Sequence, residues 1–349
     1  MRVLVAMSGG VDSSAAAALL KEQGHEVIGV TLRVWSYEGK AQCGSCCSPK
    51  DIDDARAVAD ALEIPFYVAD AEELFKERVV NPFVQSYLGG KTPVPCVSCN
   101  SDVKFGFLLK RARSLGAKLA TGHYARLADD GGVRRLLRAK DAAKDQSYFL
   151  FTLGQDELRD LMFPIGDLTK DEVRAIAERH HLPTARKPES MEICFVPDGD
   201  YASFVERVAG PQKSGDVVDK RGQVLAKHGG VHRFTVGQRR GLGLSGSGEP
   251  LYVLKVNAEQ NQVVVGPGAD NERLQFQVRD AHWVASPPAS DAPVSVRIRH
   301  RHGGSPARVR ALHDGRLDVT LDAPVRAVTP GQAAVFYDAD RVLGGGWIT

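Results

Sequence analysis

Two groups of residues in this chain have the types and spacing to do chemistry. The first is the stretch A-M-S-G-G-V-D-S-S at residues 6–14. Ser8, Gly9, Gly10, Ser13 and Ser14 supply the small side chains and hydroxyls that can wrap a pyrophosphate, and the Asp12 carboxylate can help to hold Mg²⁺ there. The stretch follows an apolar run and opens an Ala/Leu-rich one, and a strand–loop–helix junction of this kind points backbone N–H groups at an anion. It lacks the Gly-Lys-Ser/Thr ending of a Walker loop and the G-x-G-x-x-G of a dinucleotide site. A plain tight turn needs only one or two glycines, so the full S-G-G-x-D-S string asks for more than a turn. The second group is the cysteines: Cys43, Cys46, Cys47, Cys96, Cys99 and Cys194, with none in the last 155 residues. Such uneven placement does not read as a disulfide framework. Cys99 precedes Asn100 and Ser101, both good N-caps, and then a helical run over 101–115. A thiol at a helix N-terminus, with Lys104 nearby, is a better nucleophile. Cys96-x-x-Cys99 also has the spacing of a zinc half-site, for which Cys43, Cys46 and Cys47 would be the other half. Cys194, in E-S-M-E-I-C-F-V, reads on its own as a core cysteine.

Elements must position these groups. Residues 2–7, 26–34, 65–69 and 118–121 read as strands, and 12–23, 51–62 and 101–115 as helices. The alternation predicts a parallel sheet flanked by helices, with ligands beyond the carboxyl ends of its strands. Thr169-Lys-Asp-Glu172 has capping-box spacing and opens a helix to about residue 180. After about residue 210 the texture turns to short period-two runs separated by D-K-R-G, N-A-E-Q-N and G-P-G, which predicts antiparallel β structure. A closed barrel would protect such strand edges. The expected fold class is therefore α/β, with an N-terminal parallel-sheet catalytic domain over 1–207, a small β-rich central domain over 208–270, and a C-terminal β-barrel over 271–349.

The chain has 349 residues, 43% hydrophobic and 25% charged, with a net charge of +2. That is a globular composition spread over two or three domains. No apolar run approaches a membrane span, no signal peptide is visible, and a cytoplasmic location is expected. The charge is too small for a generally basic protein, so a nucleic-acid partner needs a local patch. Arg297, Arg299, Arg301, Arg308 and Arg310 supply one, with His300 and His302 between them. Alternation at 297, 299 and 301 predicts three guanidinium groups on one strand face, as a phosphate track requires. Arg233, Arg239 and Arg240 form a second cluster, and Arg134, Arg135 and Arg138 extend the track. The bland alternative is a solvated strand face.

The S-G-G-V-D-S string resembles the PP-loop of the ATP pyrophosphatase superfamily, whose adenine-nucleotide alpha hydrolase-like fold matches the predicted parallel sheet. The whole chain resembles the tRNA-specific 2-thiouridylases within it. The matching motifs run in order: residues 8–13, C-N-S-D-V-K-F at 99–105, A-T-G-H-Y-A-R at 120–126, K-D-Q-S-Y-F-L at 144–150, I-C-F-V at 193–196, T-V-G-Q-R-R-G-L-G at 235–243, P-L-Y-V at 250–253, T-P-G-Q at 329–332 and L-G-G-G at 343–346. The resemblance implies ATP-dependent thiolation of the wobble uridine at C2, by adenylation of O2 and sulfur transfer from a cysteine persulfide. It implies ATP binding by Ala6, Met7, Ser8, Gly9, Gly10, Val11, Asp12 and Ser13, with Leu32 and Gly122 framing the adenosine. Leu32 stands where the family often has methionine. Cys99 becomes the nucleophile and Cys194 the persulfide carrier, with a Cys99–Cys194 disulfide left after sulfur loss. Val94, Pro95, Cys96, His123, Lys144, Asp145, Gln146, Arg299, His300 and Gln332 become tRNA contacts. The expected partners are tRNAs of the Lys, Glu and Gln type and a sulfur donor such as a cysteine desulfurase or a sulfur relay, with no membrane. One well-known branch has aspartate where this chain has Cys96. That departure opens an alternative in which Cys96, Cys99 and Cys194 ligate a [4Fe–4S] cluster that delivers sulfide. A different ATP-dependent PP-loop ligase and a non-catalytic nucleotide-binding RNA-interaction protein are the other readings.

Overall fold

The computed structural model describes residues 1–35, 49–189, 193–196, 198–244 and 249–349. Cys43, Cys46 and Cys47, and with them the second zinc half-site, lie outside the described residues.

The N-terminal unit is built on a five-stranded parallel sheet. From one edge its strands are Phe66–Asp70, Glu26–Arg33, Arg2–Ala6, Lys118–Thr121 and Leu161–Met162. Arg2–Ala6 is central and covered on both faces. This is why it reads as a continuous apolar run, with Val3 and Val5 fully buried. Helix Val11–Glu22 packs on it through Ala17 and Ala18, while Ala15 and Ala16 pack against Tyr124, Ile165 and Val173; all four alanines are fully buried. Their short side chains let the helix axis approach the sheet closely. Thr169 caps helix Lys170–Arg179 as its sequence predicts: its hydroxyl accepts from the Glu172 N–H and its own N–H donates to Glu172.

The central unit carries a four-stranded sheet in the order Leu251–Asn257, Gln262–Pro267, Gly215–Val218, Val224–His228. One departure from expectation lies here, because Gln262–Pro267 runs parallel to Gly215–Val218. The C-terminal unit is a closed antiparallel barrel of six strands, Glu272–Trp283, Leu317–Arg326, Ser305–Ala311, Pro293–Arg297, Ala333–Asp338 and Arg341–Ile348, sealed by pairing of the first with the last. The barrel sheet does not stop at its own sequence. The hairpin Ala125–Asp130/Val133–Arg138, from the N-terminal unit, continues it through Arg341 opposite Leu137.

Two sequence expectations change. The helix carrying Cys99 begins earlier than predicted, at Pro95, and runs over residues 95–114 with a π-helical stretch at Cys99–Phe105. Pro95 takes the first helical position, where its fixed φ and missing N–H are favourable. Cys96 therefore occupies the first turn, Cys99 lies one turn in, and Asn100 and Ser101 do not cap. The arginine alternation also fails as a strand face. The strand ends at Arg297, which is buried, and a turn carries Arg299 and Arg301. Among the described residues no helix is long and apolar enough to cross a membrane, and no disulfide joins two described cysteines.

Candidate active site

The loop between Ala6 and Val11 folds tightly because its sequence allows it. Gly9 has φ +69°, and a Cβ there would collide with the Asp51 backbone. Ser13 Oγ accepts from the Ser8 N–H at 3.1 Å, and Ser14 Oγ donates to the Gly10 carbonyl at 2.8 Å. Among the described residues no side chain caps the first turn of the following helix. Its N–H groups are thus left for a ligand, and with the helix dipole they favour an anion. They face a cavity of about 300 Å³. Ala6, Met7, Ser8, Gly10, Val11, Asp12 and Ser13 line it, together with Leu32 and Gly122, so the predicted ATP residues are brought together with Gly9 just behind them. Gly122 has a packing reason of its own: a Cβ there would sit 2.6 Å from the Ser13 nitrogen.

Several charged residues at this cavity are invisible as motifs. Lys170 Nζ meets Asp12 Oδ1 at 2.7 Å and Glu189 at 2.8 Å, and Lys144 meets Glu189 at 2.7 Å. The Tyr124 hydroxyl donates to the same Asp12 oxygen at 2.8 Å. Burial, then Asp12, raises the Tyr124 pKa, so it stays a donor. Lys187 bridges the Gly9 carbonyl at 2.9 Å, Asp51 at 2.6 Å and Asp54 at 2.5 Å, tying the helix Pro49–Ala61 to the loop. Burial works against the Lys187 charge, but its two aspartates outweigh it and raise the pKa. For Glu189, burial alone would raise the pKa; the hydrogen bonds from Lys144 and Lys170 prevail and hold it at about 2. No motif spacing links Lys170, Lys187 and Glu189 to the loop, because they converge only through the fold.

The helix over 95–114 crosses from the cysteines to this cavity, which it lines with Lys104 and Leu108. Cys99 and Cys194 are both half-buried and pack against the same apolar cluster. The residue after Cys194 fixes that segment. Phe195 is 2% exposed and sits edge-on to Phe83 at 5.0 Å and Phe75 at 5.6 Å. Cys194 is therefore held at the rim of a core instead of within it.

The expected tRNA contacts divide. His123, Lys144 and Gln146 line the loop cavity itself. His123 Nδ1 shares a hydrogen bond with Thr121 Oγ1 at 2.8 Å; burial, and then Lys104, depress its pKa and leave the ring neutral. Gln146 Oε1 accepts from the Tyr124 N–H at 3.0 Å. Val94 caps the cysteine helix and Pro95 and Cys96 open its first turn, and Gln332 reaches from the barrel to donate to the Thr92 carbonyl at 3.0 Å. Asp145 has a different place. It is buried, pairs with Arg297 at 2.7 Å, and accepts from the Ser147 and Ala139 N–H groups. His300 lies tilted against Phe149, ring centroids 4.5 Å apart, and, held neutral chiefly by burial, donates through Nε2 to the Asp145 carbonyl at 3.2 Å. Arg299 is exposed and donates to the Arg326 carbonyl at 3.3 Å. Beside them, Arg126, Arg138, Lys140, Arg301 and His302 line a groove of about 750 Å³ between the hairpin and the barrel.

Among the described residues no three His, Cys, Asp or Glu side chains converge as a metal site. Cys96, Cys99 and Cys194 therefore do not fit a [4Fe–4S] cradle. Asp12 Oδ1 is already engaged by Lys170 and Tyr124. Protein ligands for a resident Mg²⁺ are lacking among the described residues, and such an ion would enter as the counter-ion of ATP.

A parallel sheet whose first strand turns through S-G-G-V-D-S into a helix facing a polar cavity defines a protein of the PP-loop, adenine-nucleotide alpha hydrolase-like class. Residues 1–198 match a family model described as tRNA methyl transferase HUP domain, 202–267 one described as tRNA methyl transferase PRC-barrel domain, and 273–348 one described as aminomethyltransferase beta-barrel domain. Relatives named tRNA-specific 2-thiouridylase MnmA include those of Geotalea uraniireducens (52% identical, covering 99% of this chain and 94% of the relative) and Geobacter metallireducens (51%, 99% and 96%). The chain belongs to the tRNA-specific 2-thiouridylase family. Solved structures with some likeness include an NMN synthetase from Francisella tularensis, at 15% identity, TM-score 0.35, covering 61% of this chain and 78% of that one. Another is a 4-thiouridine synthetase–RNA complex with bound ATP, at 16% identity, TM-score 0.35, covering 59% and 50%.

Proposed function

We propose that this chain uses ATP to thiolate the wobble uridine of tRNA at C2. The observation that carries the reading is one cavity with two walls: the uncapped N–H groups of the S-G-G-V-D-S loop on one side, and the helix that bears Cys99 on the other. The loop takes the phosphates of ATP with Mg²⁺, Asp12 helps to orient them, and Leu32 and Gly122 flank the adenosine. Uridine O2 attacks the α-phosphate and pyrophosphate leaves, so that O2 departs later as AMP. The base must leave its stack for O2 to reach that phosphate. Cys194 carries the incoming sulfur as a persulfide supplied by a donor protein. Its outer sulfur attacks C2, AMP leaves, and the Cys99 thiolate attacks Cys194 Sγ, breaking the S–S bond. The products are 2-thiouridine and a Cys99–Cys194 disulfide that a thiol reductant reopens. The π-helical turn at Cys99 supports this role, since such bulges concentrate at functional sites. The relatives' name agrees with this chemistry; the methyl transfer in the family-model descriptions has no counterpart in the loop and two cysteines. A reaction on tRNA also implies a cytoplasmic location.

The test is mass spectrometry of unmodified tRNA incubated with the full chain, ATP, Mg²⁺, a persulfide donor and a thiol reductant, with pyrophosphate release followed in parallel. Pyrophosphate release should require tRNA. Cys99→Ser and Cys194→Ser should each abolish thiolation while retaining tRNA-dependent pyrophosphate release, and Cys96→Ser should remain active. Pyrophosphate release that ignores tRNA would replace this reading with that of a different PP-loop ligase.

A further inference from the structure

The ATP cavity holds four lysines against the carboxylates of Asp12, Asp51 and Glu189. Glu189 differs from the other two. One of its oxygens takes Lys170 Nζ at 2.8 Å and the other takes Lys144 Nζ at 2.7 Å, so a single planar anion spans both ammonium groups. The Lys170 side chain is only 10% exposed, and its second partner is the loop aspartate, Asp12. Two lysines bridged by an oxyanion at the mouth of an uncapped helix N-terminus form the arrangement a phosphate uses.

We propose that Lys144 and Lys170 are the seat of the ATP β,γ-phosphates, and that Glu189 occupies this seat as an internal stand-in that the nucleotide must displace. The inference rests on the reading of this cavity as an ATP site and names groups beyond its glycine loop. The carboxylate is ionised throughout the neutral range, so it competes as a full charge. A site closed by its own anion binds with an affinity reduced by the fraction of time it is closed. When the phosphates enter, the lysines exchange one oxyanion for another and are never left buried and uncompensated. Glu189 moves out toward solvent, to which it is already 29% exposed. The exchange also makes a role for Lys170 that the loop motif alone does not contain: it contacts Asp12 and the phosphates from the same ammonium group.

Inorganic pyrophosphate with Mg²⁺ is the probe, titrated calorimetrically into the full chain without tRNA. Glu189→Gln removes the competing charge and should tighten pyrophosphate binding by about threefold or more, while Lys170→Met should weaken it by roughly tenfold, the scale of one charge-assisted hydrogen bond. Glu189→Asp keeps the charge but is a methylene too short to span both lysines, and should also tighten binding. Thermal melts of each variant report folding. Pyrophosphate affinity that is unchanged or weaker in both folded Glu189 variants overturns the proposal, and so does wild-type affinity in Lys170→Met. A wild-type chain that binds pyrophosphate through Lys170 but never thiolates tRNA would sink the functional reading and leave this one standing. A chain that thiolates tRNA while all three variants bind pyrophosphate like wild type would do the reverse.

Discussion

Asp145 and Arg297 show how burial decides what a charged residue is for. Both belong to segments that read as tRNA-facing, yet their side chains are 4% and 10% exposed and meet at 2.7 Å. Arg297 also lies 5.7 Å from the Tyr148 ring and 5.9 Å from the Tyr337 ring, and it donates to the His300 carbonyl. A guanidinium so enclosed cannot follow a phosphate backbone. It fastens the K-D-Q-S-Y segment to the barrel instead. Removing one partner leaves the other buried and uncompensated, which costs about 3–5 kcal/mol. Asp145→Asn should therefore lower the unfolding free energy by that order, measured by urea denaturation, with Arg297→Met falling similarly and the double variant regaining part of the loss. Glu189 is the opposite case, a paired carboxylate with a water-facing side. Its folded pKa is depressed to about 2. The stability of its bridges is thus fully present above the ordinary carboxylate range and lost only as pH falls toward that value. The pyrophosphate-affinity difference between wild type and Glu189→Gln should stay flat from about pH 5.5 to 8.5, since a glutamate normally titrates near 4.3.

Elements account for what the sequence reveals and what it hides. The glycine loop, the strands beside it and the Thr169 capping box are contiguous signals, and each lies where its residues predict. The start of the cysteine helix is hidden because Asn100 and Ser101 look like caps. The stronger signal is Pro95 at the first helical position, with Cys96 following it into the first turn. The arginine alternation misleads for a different reason. Period two says which residues share a face only while the strand lasts, and this one ends at Arg297. Lys170, Lys187 and Glu189 carry no local signal that ties them to the loop cavity, since Lys170 comes from one distant segment and the neighbouring Lys187 and Glu189 from another. Nor does the hairpin Ala125–Asp130/Val133–Arg138 announce that it extends a barrel nearly 150 residues downstream, although its D-D-G-G turn marks it as a hairpin. The basic surface accordingly moves from a strand face to the groove that Arg126, Arg138, Lys140 and Arg301 line, with Arg299 exposed on the same turn as Arg301. Reversing both arginines to glutamate should weaken tRNA binding and reduce the slope of log affinity against log salt by about 1 for each phosphate no longer neutralised, with ATP binding unchanged. An unaltered salt slope would remove tRNA from this groove.

At the scale of the whole molecule, the three units converge on one residue. Thr92 stands in the turn that leads into the cysteine helix. Its N–H donates to the Pro330 carbonyl of the barrel unit at 2.9 Å, its carbonyl accepts from Gln332 at 3.0 Å, and its hydroxyl donates to Thr235 of the central unit at 3.1 Å. Both β units thus hold the segment that presents Cys96 and Cys99, although no described residue of either lines the loop cavity. The approach is close enough to demand glycine at one point. Gly331 has φ +90°, and a Cβ there would lie 3.0 Å from the Lys91 Cβ and from both the nitrogen and the oxygen of Thr92. Gly331→Ala combines a left-handed backbone, strained by about 1–3 kcal/mol for a residue with a side chain, with crowding that presses the segment at Lys91 and Thr92 away from the barrel. Because the strain lies at the junction and not at the nucleotide, pyrophosphate affinity should match wild type while the thiolation rate falls by roughly tenfold, since displacing a reacting group by about 1 Å costs about 100-fold and the crowding here asks for a smaller shift. Thr92→Val, which removes one clamp without strain, should show the same pattern more weakly. Measuring both quantities on each variant separates a positioning role from loss of fold: parallel loss of pyrophosphate binding and thiolation would mean that the junction merely holds the molecule together.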